Sequence, residues 1–257
     1  MILDDIVAST KIRVEKAKQI LPLEDLKRKV VNSTLHSSLF TLSLSKPGVN
    51  FICEVKKASP SKGIISKDFK YKEIAEEYEA GGASAISVLT EPKFFLGKKE
   101  YLTEIKKAVK IPVLRKDFII DEYQIYEAKY IGADAILLIC SILNLETMKR
   151  FMDIAASLGL SCLVEAHDEK EIEQALKAGA EIIGVNNRNL KNFEVDFNNS
   201  MRLRKLVPAG KIFVSESGIK TKEHIEMLKE NGVNAVLIGE ELMKSGDIKK
   251  KLAELKS

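Results

Sequence analysis

The chain has 257 residues, 45% of them hydrophobic and 30% charged, and its 41 Lys and Arg outnumber 37 Asp and Glu for a net charge of +4. This composition is ordinary for a folded globular domain and excludes a disordered tail, a collagen-like fibre and a small disulfide scaffold. The densest basic patches, Lys27-Arg28-Lys29 and Lys249-Lys250-Lys251, lie in helical patterns with acids nearby, so they read as solvated helix faces and no nucleic-acid partner is expected.

Residues 1–18 carry acids early and no central apolar block, which does not fit a secretory signal. No apolar run approaches the roughly 20 residues that span a bilayer, so a cytoplasmic protein without a membrane partner is expected. Leu3, Ile6, Val7, Ile12, Val14, Ala17 and Ile20 recur at roughly helical spacing among charges. Pro22 opens a second helical stretch through about Val31. Residues 32–49 are polar and turn-rich, with Lys46-Pro47-Gly48 as a stop. Residues 1–48 therefore read as a helical N-terminal extension packed on a larger domain, 49–257.

From Asn50 onward, short apolar runs alternate with amphipathic helical stretches. The runs are Phe51–Val55, Ala85–Leu89, Pro112–Leu114, Ala135–Ile139, Ser161–Val164, Ile182–Val185, Lys211–Val214 and Ala235–Ile238. Continuous apolar strands separated by helices imply a parallel sheet buried on both faces. One phrase also repeats: Gly81-Gly82-Ala83-Ser84-Ala85, Gly132-Ala133-Asp134-Ala135, Gly179-Ala180-Glu181-Ile182 and Gly232-Val233-Asn234-Ala235. Each reads as a helix end, a glycine suited to a left-handed cap, a small residue, a polar residue and a strand. Eight such units predict an α/β fold, a (β/α)8 TIM barrel with an N-terminal helical extension. The rival, a doubly wound open sheet, would usually carry a GxGxxG turn, and none occurs.

Cys53, Cys140 and Cys162 sit in or beside apolar runs without a CxxC pair, as buried reduced thiols do. His36, His167 and His224 lie far apart, so no metal site is expected. His167 precedes Asp168 and Glu171, which look like a helix cap, and it reads as a loop residue.

In a (β/α)8 barrel the C-terminal strand ends form the active site. Here the odd strands end in charge: Glu54 and Lys56 after the first, Arg115-Lys116-Asp117 after the third, Glu165 after the fifth and Glu216 after the seventh. The sixth ends in Asn186-Asn187-Arg188. Charges on the inner face of a buried strand are costly unless paired or used. Since alternate strands contribute to one inward layer, Glu54, Lys116, Glu165 and Glu216 are expected to converge at the mouth beside Lys56 and Asn186. Ordinary rim salt bridges are the alternative for any one of them. The seventh strand runs into Ser215-Glu216-Ser217-Gly218 and the eighth into Ile238-Gly239-Glu240-Glu241, where glycines let backbone N–H groups approach an anion. The loop Ala58-Ser59-Pro60-Ser61-Lys62-Gly63 adds hydroxyls and a cation, and together these favour a phosphorylated small molecule.

The stretches Glu54-Val55-Lys56-Lys57-Ala58-Ser59-Pro60-Ser61, Thr90-Glu91-Pro92-Lys93-Phe94-Phe95, Leu114-Arg115-Lys116-Asp117-Phe118, Val164-Glu165, Asn186-Asn187-Arg188-Asn189-Leu190, Ser215-Glu216-Ser217-Gly218 and Ile238-Gly239-Glu240 resemble the indole-3-glycerol phosphate synthase family in order and spacing. The resemblance implies closure of 1-(o-carboxyphenylamino)-1-deoxyribulose 5-phosphate to an indole, with loss of carbon dioxide and water and no cofactor or metal. It further implies Lys116 as general acid, its pKa expected to fall towards neutrality. Lys56 would hold the substrate carboxylate, Glu165 would be the base, and Glu54, Asn186 and Glu216 would position hydroxyls and lysines. The division of acid duty between Lys56 and Lys116 stays open. For the phosphate it implies Ser59, Gly218, Gly239 and Glu240, with Ile238 beside them. For the aromatic ring it implies Phe94, Phe118, Leu137 and Leu190, with Arg188 and Ser217 nearby; core packing is the alternative for Phe118, Leu137 and Leu190. One departure is Glu241, where many relatives carry a small residue; a second acid there would repel phosphate unless it points outward. The other readings are a sister barrel such as phosphoribosylanthranilate isomerase, which calls for a Cys where Glu54 and Lys56 stand, and a barrel that merely binds a sugar phosphate.

Overall fold

The computed structural model describes residues 2–30, 39–189 and 193–257. Eight parallel strands close into a barrel in sequence order: β1 (Asn50–Val55), β2 (Ala85–Leu89), β3 (Val113–Lys116), β4 (Ala135–Ile139), β5 (Ser161–Ala166), β6 (Ile182–Asn186), β7 (Ile212–Glu216) and β8 (Ala235–Ile238). Closure is between β1 and β8, registered from Asn50 opposite Ala235 to Cys53 opposite Ile238. Helices α4 (Tyr71–Ala80), α5 (Lys99–Ala108), α6 (Glu122–Tyr130), α7 (Leu145–Ser157), α8 (Glu169–Ala178), α9 (Asn198–Arg204), α10 (Lys222–Glu230), α11 (Glu240–Met243) and α12 (Ile248–Lys256) follow the strands. Among the described residues, no helix is long and apolar enough to cross a membrane.

Local chemistry fixes these boundaries. Asp121, Asn144, Asp168, Thr221 and Asp247 each accept a backbone N–H at a helix start. At the helix ends, the repeated phrase supplies Gly82, Gly132, Gly179 and Gly232 at φ of 80°, 94°, 90° and 72°. These are left-handed conformations that a Cβ would strain, and they turn the chain into the next strand.

Alternation along each strand makes two cores. Outward residues such as Cys53, Val55, Ile86, Val88 and Val164 pack under the helices. Inward residues such as Ile52, Leu114, Leu137, Leu163, Val214 and Leu237 fill the barrel. Three helices precede the barrel: α1 (Ile2–Ile20), α2 (Leu23–Val30) and α3 (Leu39–Leu44). Helix α3 lies inside the stretch that reads as turns in the sequence. Its buried Phe40 and Leu44 join the inner core, Asn50 Nδ2 donates to the Leu44 carbonyl at 3.0 Å, and the Thr41 and Ser161 hydroxyls meet at 2.9 Å. It therefore plugs the end of the barrel where the strands begin. Burying two such side chains is worth roughly 1.5–3 kcal/mol each. A single apolar pair four residues apart is too short to show as a period.

Four strands run further than their apolar stretches, β6 by one residue to Asn186. The third run ends at Leu114 but β3 continues to Lys116; likewise β5 reaches Ala166 and β7 reaches Glu216. The charged ends are buried and ion-paired, so the backbone ladder continues through them.

Candidate active site

The inward positions at the C-terminal ends of the strands are the charged ones. Glu54, Lys116, Glu165, Asn186 and Glu216, with Lys56 just past β1, line a cavity of about 510 Å³ at that end of the barrel. Lys116 Nζ donates to Glu165 Oε2 and to Glu216 Oε2, both at 2.9 Å. Lys56 Nζ lies 2.5 Å from Glu54 Oε1. Asn186 hydrogen-bonds Glu165, and its Oδ1 accepts the Arg188 amide at 3.0 Å. Glu54, Glu165 and Glu216 are 4%, 2% and 1% exposed, so two ammonium groups hold three carboxylates out of water.

This packing corrects one expectation. The pKa of Lys116 does not fall. Burial opposes its charge, but Glu165 and Glu216, with Glu54 beyond them, outweigh burial and raise it above the ordinary lysine value. The two carboxylates on that ammonium are driven apart. Burial pushes Glu165 up, but Lys116, then His167, overcome it and leave Glu165 below the usual carboxylate range. At Glu216 burial and the Glu165 charge prevail over Lys116, and its pKa is pushed up to about 7. Two neighbouring carboxyl groups with opposite displacements are suited to opposite proton roles.

Glycines make room for these carboxylates. A Cβ on Gly184, an inward residue of β6, would land on Glu216 Oε1. One on Gly239 would sit 2.8 Å from Glu54 Oε1.

Ser59, Gly218, Ile238, Gly239 and Glu240 line the same cavity on the β1, β7 and β8 side. Ser217 and Gly218 are both left-handed, at φ of 68° and 80°. That turn is held by the buried Asn187, whose Nδ2 donates to the Ser217 carbonyl at 3.0 Å while its Oδ1 accepts from the Ser200 amide at 3.0 Å. Glu240 accepts from Lys244 at 2.7 Å and faces Arg188 at 3.5 Å and Lys62 at 3.8 Å. Glu241 also lines the cavity, and its carboxylate is 3.7 Å from Lys251 on α12.

Phe118, Leu137, Arg188 and Ser217 also line the cavity. Phe94 does not line it; the ring that does is Phe95. The buried Glu91 carboxylate accepts the amides of Lys93, Phe94 and Phe95 at 3.0, 2.7 and 3.0 Å, and Leu96 is left-handed at φ 53°. That tight turn decides which of two adjacent rings faces the cavity. Leu190 lies outside the described residues. Phe193, Val195, Phe197 and His224 also line the mouth, with Phe197 stacked on His224 at 4.2 Å between centroids. None of these four carries a charge anomaly or a periodic signal that marks it in the sequence.

His167 lies, as expected, in the loop between β5 and α8, where its imidazole is held by hydrogen bonds. Asp168 Oδ1 accepts the Glu171 amide at 2.9 Å, which caps α8. Glu171 Oε2 accepts the His167 amide at 2.8 Å and lies 3.0 Å from His167 Nδ1. The imidazole Nε2 then sits 3.5 Å from Glu165 Oε1.

In the cavity wall, the buried Asp117 anchors the two residues that flank it in the chain. Arg13 of α1 grips both of its oxygens, at 2.8 and 2.7 Å; Thr90 donates at 2.7 Å, Arg115 at 3.2 Å and the Phe118 amide at 2.8 Å. The fully buried Arg115 also donates to the Gln124 carbonyl at 2.9 Å and to Glu127 at 2.7 Å. Burial works against the Asp117 charge, but Arg13 and Arg115 outweigh it and lower its pKa to about 2. Among the described residues, no group of three His, Cys, Asp or Glu side chains is arranged to hold a metal ion.

The sequence model of indole-3-glycerol phosphate synthase matches residues 3–255. The indole-3-glycerol phosphate synthase of Endomicrobium trichonymphae is 69% identical over 257 residues, covering 100% of both chains. That of Ruminiclostridium cellulolyticum is 58% identical over 259 residues, covering 100% of this chain and 99% of the relative. Solved structures share the barrel at low identity. A 3-hexulose-6-phosphate synthase from Salmonella typhimurium aligns with a TM-score of 0.66 at 14% identity, over 80% of this chain and 96% of the other. That likeness speaks for the fold alone.

Proposed function

The chain belongs to the indole-3-glycerol phosphate synthase family, and from that premise we propose that it closes 1-(o-carboxyphenylamino)-1-deoxyribulose 5-phosphate to indole-3-glycerol phosphate. The arene carbon attacks the ribulose carbonyl, carbon dioxide leaves to restore aromaticity, and dehydration completes the indole. The observation that carries this reading is the Lys116 ammonium held between two carboxylates of opposite pKa displacement at the floor of the cavity.

The carbonyl is a poor electrophile until its oxygen is protonated or polarised. Lys116, kept cationic by its neighbours, supplies that acid and stabilises the developing oxyanion out of water. Lys56, aligned by Glu54, holds the substrate carboxylate, which sets the ring for attack, and is the second candidate acid for the leaving hydroxyl. Glu165, held ionised, takes the proton lost in dehydration. Glu216 and Asn186 keep Lys116 and Glu165 in register. The phosphate is bound by Ser59 and by backbone N–H groups of Gly218, Gly239 and Glu240, beside Ile238 and the cations Lys62 and Arg188. The ring lies against Phe118, Leu137 and Phe95, with Ser217 at its edge.

Purified protein given the carboxyphenylamino-deoxyribulose phosphate is expected to produce indole fluorescence. Lys116→Met, isosteric along the stem but without the ammonium, is expected to lose about 1,000-fold or more in turnover with an unchanged circular-dichroism spectrum. A wild-type protein that binds the sugar phosphate and forms no indole overturns the reading in favour of a binding barrel.

A further inference from the structure

The geometry points to His167 as a positioning residue for Glu165, one that shares a proton with it through Nε2 while Glu171 fixes the ring through Nδ1. The inference rests on the assignment of Glu165 as the base.

His167 is held at its ring, its amide and its carbonyl. Glu171 Oε2 lies 3.0 Å from Nδ1 and accepts the His167 amide at 2.8 Å. Asn199 Nδ2 of α9 donates to the His167 carbonyl at 3.1 Å. A carboxylate facing Nδ1 only accepts, so Nδ1 carries the hydrogen. That commits Nε2 to Glu165 Oε1, 3.5 Å away. Nε2 is out of water and has no hydrogen-bond partner. The other Glu165 oxygen is already occupied by Lys116 at 2.9 Å.

A bare Nε2 opposite an ionised carboxylate sets two lone pairs against each other in a low-dielectric pocket. The contact is favourable only with one proton between them, carried either by the imidazole or by Glu165. At 3.5 Å the bond is open in the unliganded site, and such bonds often tighten when the reacting group is in place. Before proton transfer the imidazolium Nε2–H faces the carboxylate and holds it in place. When Glu165 takes the substrate proton, the imidazolium releases its Nε2 proton to solvent, and the neutral Nε2 accepts from the new carboxylic acid. Passage of that acid proton to Nε2 restores the starting pair, so one proton leaves the substrate and one enters solvent.

Three carboxylates favour this, while the Lys116 ammonium on the far Glu165 oxygen opposes it. Glu165 and Glu171 flank the ring, Glu216 stands across the mouth beyond Lys116, and the Cys140 thiol at the end of β4 is neutral, its pKa raised by burial and then by Glu171. Burial opposes a charge on His167, but Glu171, Glu165 and Glu216 outweigh it and hold its pKa above the ordinary imidazole value. Asn186 and Asn199 add no charge.

The test is steady-state kinetics across pH on the wild type, His167→Ala, His167→Gln, Glu171→Gln and Glu165→Gln, with thermal melts on each. His167→Ala is expected to lose about 10- to 100-fold in kcat at nearly constant KM. His167→Gln, whose amide nitrogen can reach Glu165, is expected to recover part of that kcat. Without the imidazolium the Glu165 carboxylate is easier to protonate, so the acid limb of kcat/KM moves to higher pH in both His167 variants. It moves the same way in Glu171→Gln, although Glu171 does not touch Glu165. If His167→Ala does not fold, the limb in His167→Gln decides. A limb that stays in place, or a lower melting temperature with unchanged kcat, overturns the proposal. A Glu165→Gln enzyme with wild-type turnover overturns instead the base assignment on which it rests.

Discussion

Glu216 shows what the site costs at the scale of one residue. Its carboxyl is buried beside another carboxylate, in a space that exists because residue 184 has no Cβ. Its pKa is raised in the fold, so the folded protein binds a proton there more tightly than the unfolded chain. Stability then falls as pH rises from the ordinary carboxylate value through about 7. Glu216→Gln, neutral at every pH, escapes that loss. It is expected to lose turnover, yet to be more stable than the wild type at pH 8 by on the order of 1–3 kcal/mol, with the difference vanishing towards pH 4. Chemical denaturation at the two pH values measures it; equal stabilities at pH 8 would contradict the charge assignment. Glu216 was legible in the sequence because a charge ending a buried strand is anomalous, and Glu54, Lys116 and Glu165 share that signal. Gly184 and His167 lacked it: a glycine within a strand and a histidine before a helix cap have ordinary local explanations, and their roles come from carboxylates that only the fold places, Glu216 on β7 for Gly184 and Glu165 and Glu171 for His167.

At the scale of elements, the apolar periods locate all eight strands and their order, while the strand ends and α3 escape them. A period stops where charge begins, so β3 reads as ending before Arg115 and Lys116, although cross-strand partners carry the ladder through both. Long-range ion pairs leave no local trace either. Arg13 and Asp117 stand 104 residues apart in the chain, yet they clamp α1 to the end of β3. The Asp117 carboxyl, lowered to about 2, contributes stability that is present above its unfolded value of 3.8 and is lost as pH falls between the two. Arg13→Met removes the larger of its two charge partners and leaves a buried carboxylate less well paired. It is expected to cost about 1–3 kcal/mol at neutral pH and to shift the acid-unfolding midpoint upward. Circular dichroism followed from pH 7 to 2 checks this, and a midpoint equal to that of the wild type would remove Arg13 from the account. Because Asp117 sits between Lys116 and Phe118, the same variant should also raise KM.

The whole molecule is a closed ring, and a ring has no edge strand from which to fray. Opening any part of it exposes both the inner core and the layer under the helices, so unfolding should be cooperative around the circumference. The thiols report on this from separated places: Cys53 on β1, Cys140 where β4 ends and Cys162 on β5. Cys53 and Cys140 are 0% and 4% exposed. Burial raises all three pKa values, Cys53 and Cys162 to about 12, so the reactive thiolate is scarce even where the Cys162 side chain is partly reached by water. Ellman's reagent at pH 8 is therefore expected to react slowly with the native protein and at once with the denatured chain. If the barrel opens only as a unit, the native reaction has one phase, accounts for all three sulfurs, and keeps the global unfolding rate as reagent concentration is raised. A fast phase worth one sulfur that peptide mapping places at Cys53 or Cys140 would show that a sector opens by itself.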